Sequence, residues 1–144
     1  MKKGFTLIEF LVVMIIISIL ILVVTPIAVN ALKKAKATNI GRNLRNIHQA
    51  VQNYINVEQP NFLDNLTINY LRNKKFLKVD MDENDFSKYN FNVIDLETKI
   101  LIETVYKGKD IDPILVIKLF PFIKATDNVL YIRTISGKWW KGNN

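Results

Sequence analysis

The sequence predicts an α+β fold: one long N-terminal helix, half transmembrane and half amphipathic, packed on a roughly four-stranded antiparallel sheet. Three observations predict it. Residues from Leu7 to Ala28 are apolar except for Glu9, Ser18, Thr25 and Pro26. A stripe of apolar side chains at helical spacing follows. The C-terminal part then breaks into short runs rich in β-branched and aromatic residues, bounded by turn formers.

The apolar run has the length that a helix rising ~1.5 Å per residue needs to cross a ~30 Å hydrocarbon core. From Phe10 to Val24 only Ser18 is polar. Beyond Ala31 the composition turns mixed and globular, so this 144-residue chain reads as one domain with an attached membrane segment. After Pro26 the helical pattern continues. Ile40, Leu44, Ile47, Val51 and Tyr54 recur at alternating steps of four and three, with Ile55 beside the last, and Gln59-Pro60-Asn61 ends the helix. Such a stripe requires a cover. The sheet that follows is the expected one, and a coiled-coil seam is the alternative.

Asp64 to Asn73 reads as a short helix capped by Asp64. Phe91–Leu96 and Ile100–Tyr106, separated by Glu97-Thr98-Lys99, read as a hairpin. Pro113 opens and Pro121 closes a third strand candidate, Ile114–Phe120. Val129–Ile135 is the fourth, with Leu130 and Ile132 facing the helix and Arg133 facing water.

The net charge of +7 is uneven. Lys33, Lys34, Lys36, Arg42 and Arg45 form a basic collar just past the apolar run, opposed there only by Glu58, whereas Asn61 to Asn144 carries 13 basic against 11 acidic residues. Attraction to anionic lipid headgroups explains such a collar, with a DNA-binding surface as the rarer reading. Lys2 and Lys3 nearly balance the collar under the positive-inside rule, so charge alone does not orient the span. The chain has no cysteine, which excludes disulfides, thiol nucleophiles and Cys-based metal sites.

Three readings compete for the N-terminus. A cleaved secretory signal ending near Val29-Asn30-Ala31 has too long an apolar run and contains Glu9. A plain signal anchor explains the length but not the carboxylate, which costs several kcal/mol inside a membrane. The string Lys2-Lys3-Gly4-Phe5-Thr6-Leu7-Ile8-Glu9 resembles the processing signature of type IV pilins and type II secretion pseudopilins. In that family a short basic leader ends in Gly, prepilin peptidase cuts before an aromatic or Met residue, and the new N-terminus is methylated. Gly4, Phe5 and Glu9 match those positions, and Pro26 falls where many pilins carry a helix-kinking proline.

The resemblance implies a leader at 1–4, a transmembrane helix at 5–28, its amphipathic continuation at 29–57 and a globular head at 58–144. It implies a pilin-like structural subunit of a pilus or pseudopilus, with Glu9 neutralising the N-terminal amine of a neighbouring copy. Its partners would be other copies or related pilins, prepilin peptidase, the membrane, an inner-membrane platform protein and an assembly ATPase. Its place would be the inner membrane, head outside the cytoplasm, and then a filament serving adhesion, motility, DNA uptake or type II secretion. Thr6 and Glu9 also form a capping box on local grounds, a reading compatible with assembly. Pro26 is expected to kink or locally melt the helix around Val23 to Ala28. A non-assembling membrane-anchored binding protein, with the collar as a DNA-binding surface, is the alternative from another class.

Other motifs point to no chemistry. His48, the only histidine, is expected in a groove or on the surface. The run Asp80-Met81-Asp82-Glu83-Asn84-Asp85 brings calcium to mind, but an EF-hand starting at Asp80 would need glycine where Asp85 stands and glutamate where Phe91 stands; a solvated turn is expected. Trp139-Trp140 is expected to place at least one ring at the end of the core, or else to form a contact patch. Catalysis and cofactors are not expected.

Overall fold

The computed structural model describes residues 4–60, 63, 66–78, 81 and 83–139. The chain divides into two compact units, Met1–Ala35 and Lys36–Asn144. Helix α1, Leu7–Glu58, contributes to both. Residues 1–3, 79, 80 and 140–144 lie outside the described residues, as do 61, 62, 64, 65 and 82.

In the first unit α1 is helical through Pro26. Local melting there is not seen in the single chain. Two hydroxyls on this stretch bond back to carbonyls of the preceding turn: Thr25 Oγ1 donates to Ile21 O and Ser18 Oγ to Met14 O, each at 2.7 Å. The large apolar side chains from Phe5 to Leu32 are exposed, and this is the one stretch among the described residues long and apolar enough to cross a membrane.

In the second unit the expected stripe is buried. Ile40, Leu44, Ile47, Val51, Tyr54 and Ile55 all enter the core, joined by Ala37, Gly41, His48 and Ala50. Gln59 ends the helix in a left-handed conformation (φ 45°), its N–H donating to Ile55 O at 3.1 Å. A short helix, α2, spans Ile68–Asn73 and is capped by Thr67, whose side chain accepts from Tyr70 N–H. The hydroxyl of Thr67 has the reach expected of an N-cap; the expected cap, Asp64, lies outside the described residues. A single turn, α3, covers Glu83–Phe86.

The sheet is antiparallel and four-stranded, in the order β1-β2-β4-β3, with β1 Tyr89–Leu96, β2 Lys99–Tyr106, β3 Lys124–Thr126 and β4 Val129–Gly137. Its core face carries Tyr89, Phe91, Ile100, Ile102, Tyr106, Leu130 and Ile132, which form one cluster with the α1 stripe. Each such side chain, once buried, contributes about 1.5–3 kcal/mol. Leu130 and Ile132 face the helix and Arg133 faces water, as the alternation predicts.

One strand is corrected. Pro113–Leu119 is a helix, α4. Asp112 accepts from Ile114 N–H at 2.9 Å and Pro113 occupies the first turn, where its absent N–H costs nothing. Asp-Pro is a helix start, and the apolar run after it buries Val116 while leaving Ile114 exposed. The fourth strand is instead β3, joined to β4 by Asp127-Asn128. Both residues have positive φ (51° and 63°), as a two-residue hairpin turn of the primed type requires.

Candidate functional site

The N-terminal segment folds as its sequence dictates. Thr6 caps α1, and its backbone N–H and hydroxyl each donate to Glu9 Oε2 at 2.8 Å. Glu9 N–H returns a longer bond to Thr6 Oγ1 at 3.4 Å. This is the reciprocal capping box, and it satisfies donors that a helix start leaves without partners. It also fixes Glu9 one turn into an apolar helix, with the carboxylate exposed.

Gly4 and Phe5 precede the cap. A Cβ built on Gly4 meets nothing within 4 Å, and among the described residues no glycine has positive φ. Nothing in this chain's own packing or backbone therefore requires glycine at position 4. Phe5 is 84% exposed. Gly4, Phe5 and Glu9 thus lie together within one short segment, at the end of a helix whose apolar surface has no cover within the chain. Pro26 lies farther along the same helix and shares no contact network with them.

The other motifs fall elsewhere. Of the collar, Lys36 pairs with Asp110 at 2.9 Å, and the Arg45 guanidinium lies 5.7 Å over the Phe122 ring. Asp110 is a node that sequence reasoning missed. It accepts from Tyr106 OH at 2.5 Å and pairs with Lys88 at 3.3 Å as well as with Lys36. The Tyr106 hydroxyl and the two ammonium groups hold its carboxyl well below the usual carboxylate range. Asp110 thereby ties α1 to the loop after β2, and nothing in its local spacing announces it.

His48 is corrected from a groove or surface position to a buried one, 5% exposed. Its ring nitrogens meet Thr104 Oγ1 at 3.0 Å and Thr134 Oγ1 at 2.8 Å, and burial lowers its pKa. Thr104 and Thr134 sit opposite Ile132 and Ile102 on the core face, so the imidazole reaches the centre of the sheet. The missed signal is in the register: one threonine on each of two neighbouring strands, where the alternation calls for aliphatic residues.

The acidic run, expected as a solvated turn, is only partly described: Asp80 and Asp82 lie outside the described residues, and Asp85 pairs with Lys88 at 2.8 Å. Trp139 is 67% exposed and does not close the core, and Trp140 lies outside the described residues. The end of the sheet is held instead by Lys138, whose buried ammonium pairs with Asp95.

Residues 1–25 match the family described as the prokaryotic N-terminal methylation motif, the signature of type IV pilins and pseudopilins. No curated protein and no solved structure matches the chain significantly.

Proposed function

We propose that this chain, which bears the type IV pilin and pseudopilin signature, is a structural subunit of a type IV pilus or pseudopilus, cut after Gly4, methylated on Phe5 and assembled through its N-terminal helix. The observation that carries this reading is the conjunction at the helix start. A glycine that the fold does not need stands before an exposed phenylalanine, and a carboxylate follows on a helix with an uncovered apolar surface. A sequence-reading peptidase explains the glycine. Assembly of many copies explains the rest: apolar helices bundle together, and the new amine of one copy meets Glu9 of another, which makes a carboxylate tolerable in that setting. Contacts of this head-to-tail kind do not close, and they generate a fibre. The head contributes the outer surface and no catalytic group.

The test combines processing with assembly. Mass spectrometry of the membrane-extracted protein should show a mature N-terminus at methylated Phe5, and an intact Met1 refutes the reading. Glu9→Ala should be cut normally, yet the variant should yield no surface filaments or support no secretion. If filaments persist unchanged, Glu9 has no assembly role.

A further inference from the structure

Among the described residues the sheet has two open edges, and their backbone pattern can be read from its ladder. Lys107 N–H donates to Lys88 O at 2.8 Å, and Lys138 N–H to Thr98 O at 2.9 Å. Extended through the registers, these bonds assign the even-numbered residues of β1 and of β4 to the ladders with β2. The odd-numbered residues therefore turn their N–H and C=O groups outward. On β1 these include Val93 and the carbonyl of Phe91, whose N–H donates to Asn90 Oδ1 at 2.8 Å. On β4 they are Val129, Tyr131, Arg133, Ile135 and Gly137.

β3 pairs only with Val129, Leu130 and Tyr131. Continued by two residues, its register would set Phe122 opposite Arg133, but Pro121 lies in a turn there and the chain leaves the sheet. From Ile132 to Gly137, β4 therefore has a strand on one side alone, among the described residues. Natural edges are commonly blunted by a bulge, a proline or an inward-pointing charge. This stretch has an unbroken register, no proline, and Ile132, Thr134 and Ser136 as its inward residues. Its one charge, Arg133, points outward and is held by Glu103 at 2.5 Å.

We infer that the two edges pair with each other between copies: β1 of one subunit adds to the open stretch of β4 in the next. This rests on the filament reading above. Both β1 and β4 run antiparallel to β2, so they are parallel to one another. A copy displaced sideways across the sheet presents its β1 to β4 in parallel, with both core faces on the same side. The outer faces also match. Ile135 beside the β4 edge is 60% exposed, and Ile94 and Leu96 on β1 are each 48% exposed, so pairing covers apolar side chains from both partners. Backbone bonds supply affinity and the side chains supply register, as in other strand additions. Because the two edges are different surfaces, the contact is heterologous and propagates.

The chain's lack of cysteine makes the seam directly testable in the full-length protein. Ile135→Cys is combined in turn with Asn92→Cys, Ile94→Cys or Leu96→Cys. Within one chain β1 and β4 are separated by β2, about 10 Å at ~4.8 Å per strand, beyond the Cα separation of a disulfide. Oxidation of assembled filaments should give a ladder of disulfide-linked multimers for at least one pair, while each single variant stops at dimers. Ile135→Pro is the second variant: it removes an outward N–H and no bond to β2, so the chain should melt like wild type while filament yield falls by roughly tenfold or more. Filaments without a ladder from any pair, unchanged yield from Ile135→Pro, or a disulfide to a different protein would each overturn the seam. If wild-type chain with methylated Phe5 makes no filaments at all, the filament reading fails, and the seam with it.

Discussion

The two parts of α1 carry apolar residues on one helix and use them in opposite ways. From Leu7 to Ala35 they surround the axis, and none is buried within the chain. From Lys36 to Glu58 they form one stripe, and that stripe is the core of the head. The difference is periodicity. A helix that is apolar all round can be covered only by lipid or by other helices, whereas a striped one is covered by a sheet of its own chain. The second part therefore governs the head's stability; under the proposed function the first governs location and assembly, and substitutions can separate the two.

The largest effect should come from truncating the same residue type in each part. Leu44 is fully buried against the sheet. Leu44→Ala should lower the head's unfolding free energy by about 2–5 kcal/mol, the lost transfer energy plus the cavity left behind. Leu20→Ala should change it by less than ~0.5 kcal/mol, because Leu20 is 59% exposed. Urea unfolding of the detergent-solubilised chain, followed by the near-ultraviolet signal of the head aromatics, measures both. Equal losses would show that the two parts of α1 are not independent.

The two glycines sharpen the same contrast. A Cβ on Gly41 would fall within the Phe120 ring, which ends α4 and stands edge-on to Phe122 at 5.8 Å. Gly41→Ala should gain about 1 kcal/mol of helix propensity and lose about 1–3 kcal/mol to overpacking, for a modest net loss. A rise in melting temperature would mean that Phe120 swings aside freely. Gly4→Ala meets open space, so stability should not change. If the processing proposal holds, its effect is chemical: the chain keeps the mass of the uncut form, read by intact mass spectrometry.

How much of this was legible in the sequence follows from which features are local. The apolar run, the stripe from Ile40 to Ile55 and the Thr6–Glu9 box depend on spacing within one helix, and all three stand in the structure. The hairpin of β1 and β2 was legible for the same reason. Ile114–Phe120 reads as a strand because a short apolar run fits either a strand or a buried helix face. Asp112 and Pro113 before it decide for the helix, and Asp127-Asn128 mark the hairpin that supplies the true fourth strand. The pairings of Asp110 and His48 are not local, since their partners come from distant elements: Lys36 and Lys88 for one, Thr104 and Thr134 for the other.

His48 gives the smallest expected effect and the one most specific to the head. A neutral imidazole offers one donor and one acceptor, and two threonine hydroxyls satisfy either tautomer. They can accept from both nitrogens of the cation as well, so the penalty on protonation is loss of solvent, and burial lowers the pKa below 6.5. The unfolded chain then binds the proton first as pH falls. Stability is fully present above about pH 6.5, declines below it by at most ~1.4 kcal/mol per pH unit, and levels off below the folded-state pKa. With a single histidine in the chain, no other side chain ordinarily titrates between pH 5.5 and 6.5, and the Asp110 carboxyl loses its contribution only at lower pH, below its ordinary value of 3.8. Urea midpoints of the wild type should therefore fall from pH 7 to pH 5.5. Those of His48→Gln, which keeps a donor and an acceptor but no titrating group, should stay level over that range. Parallel slopes for the two proteins would place the acid sensitivity outside the helix–sheet interface and remove His48 from the account of the head's stability.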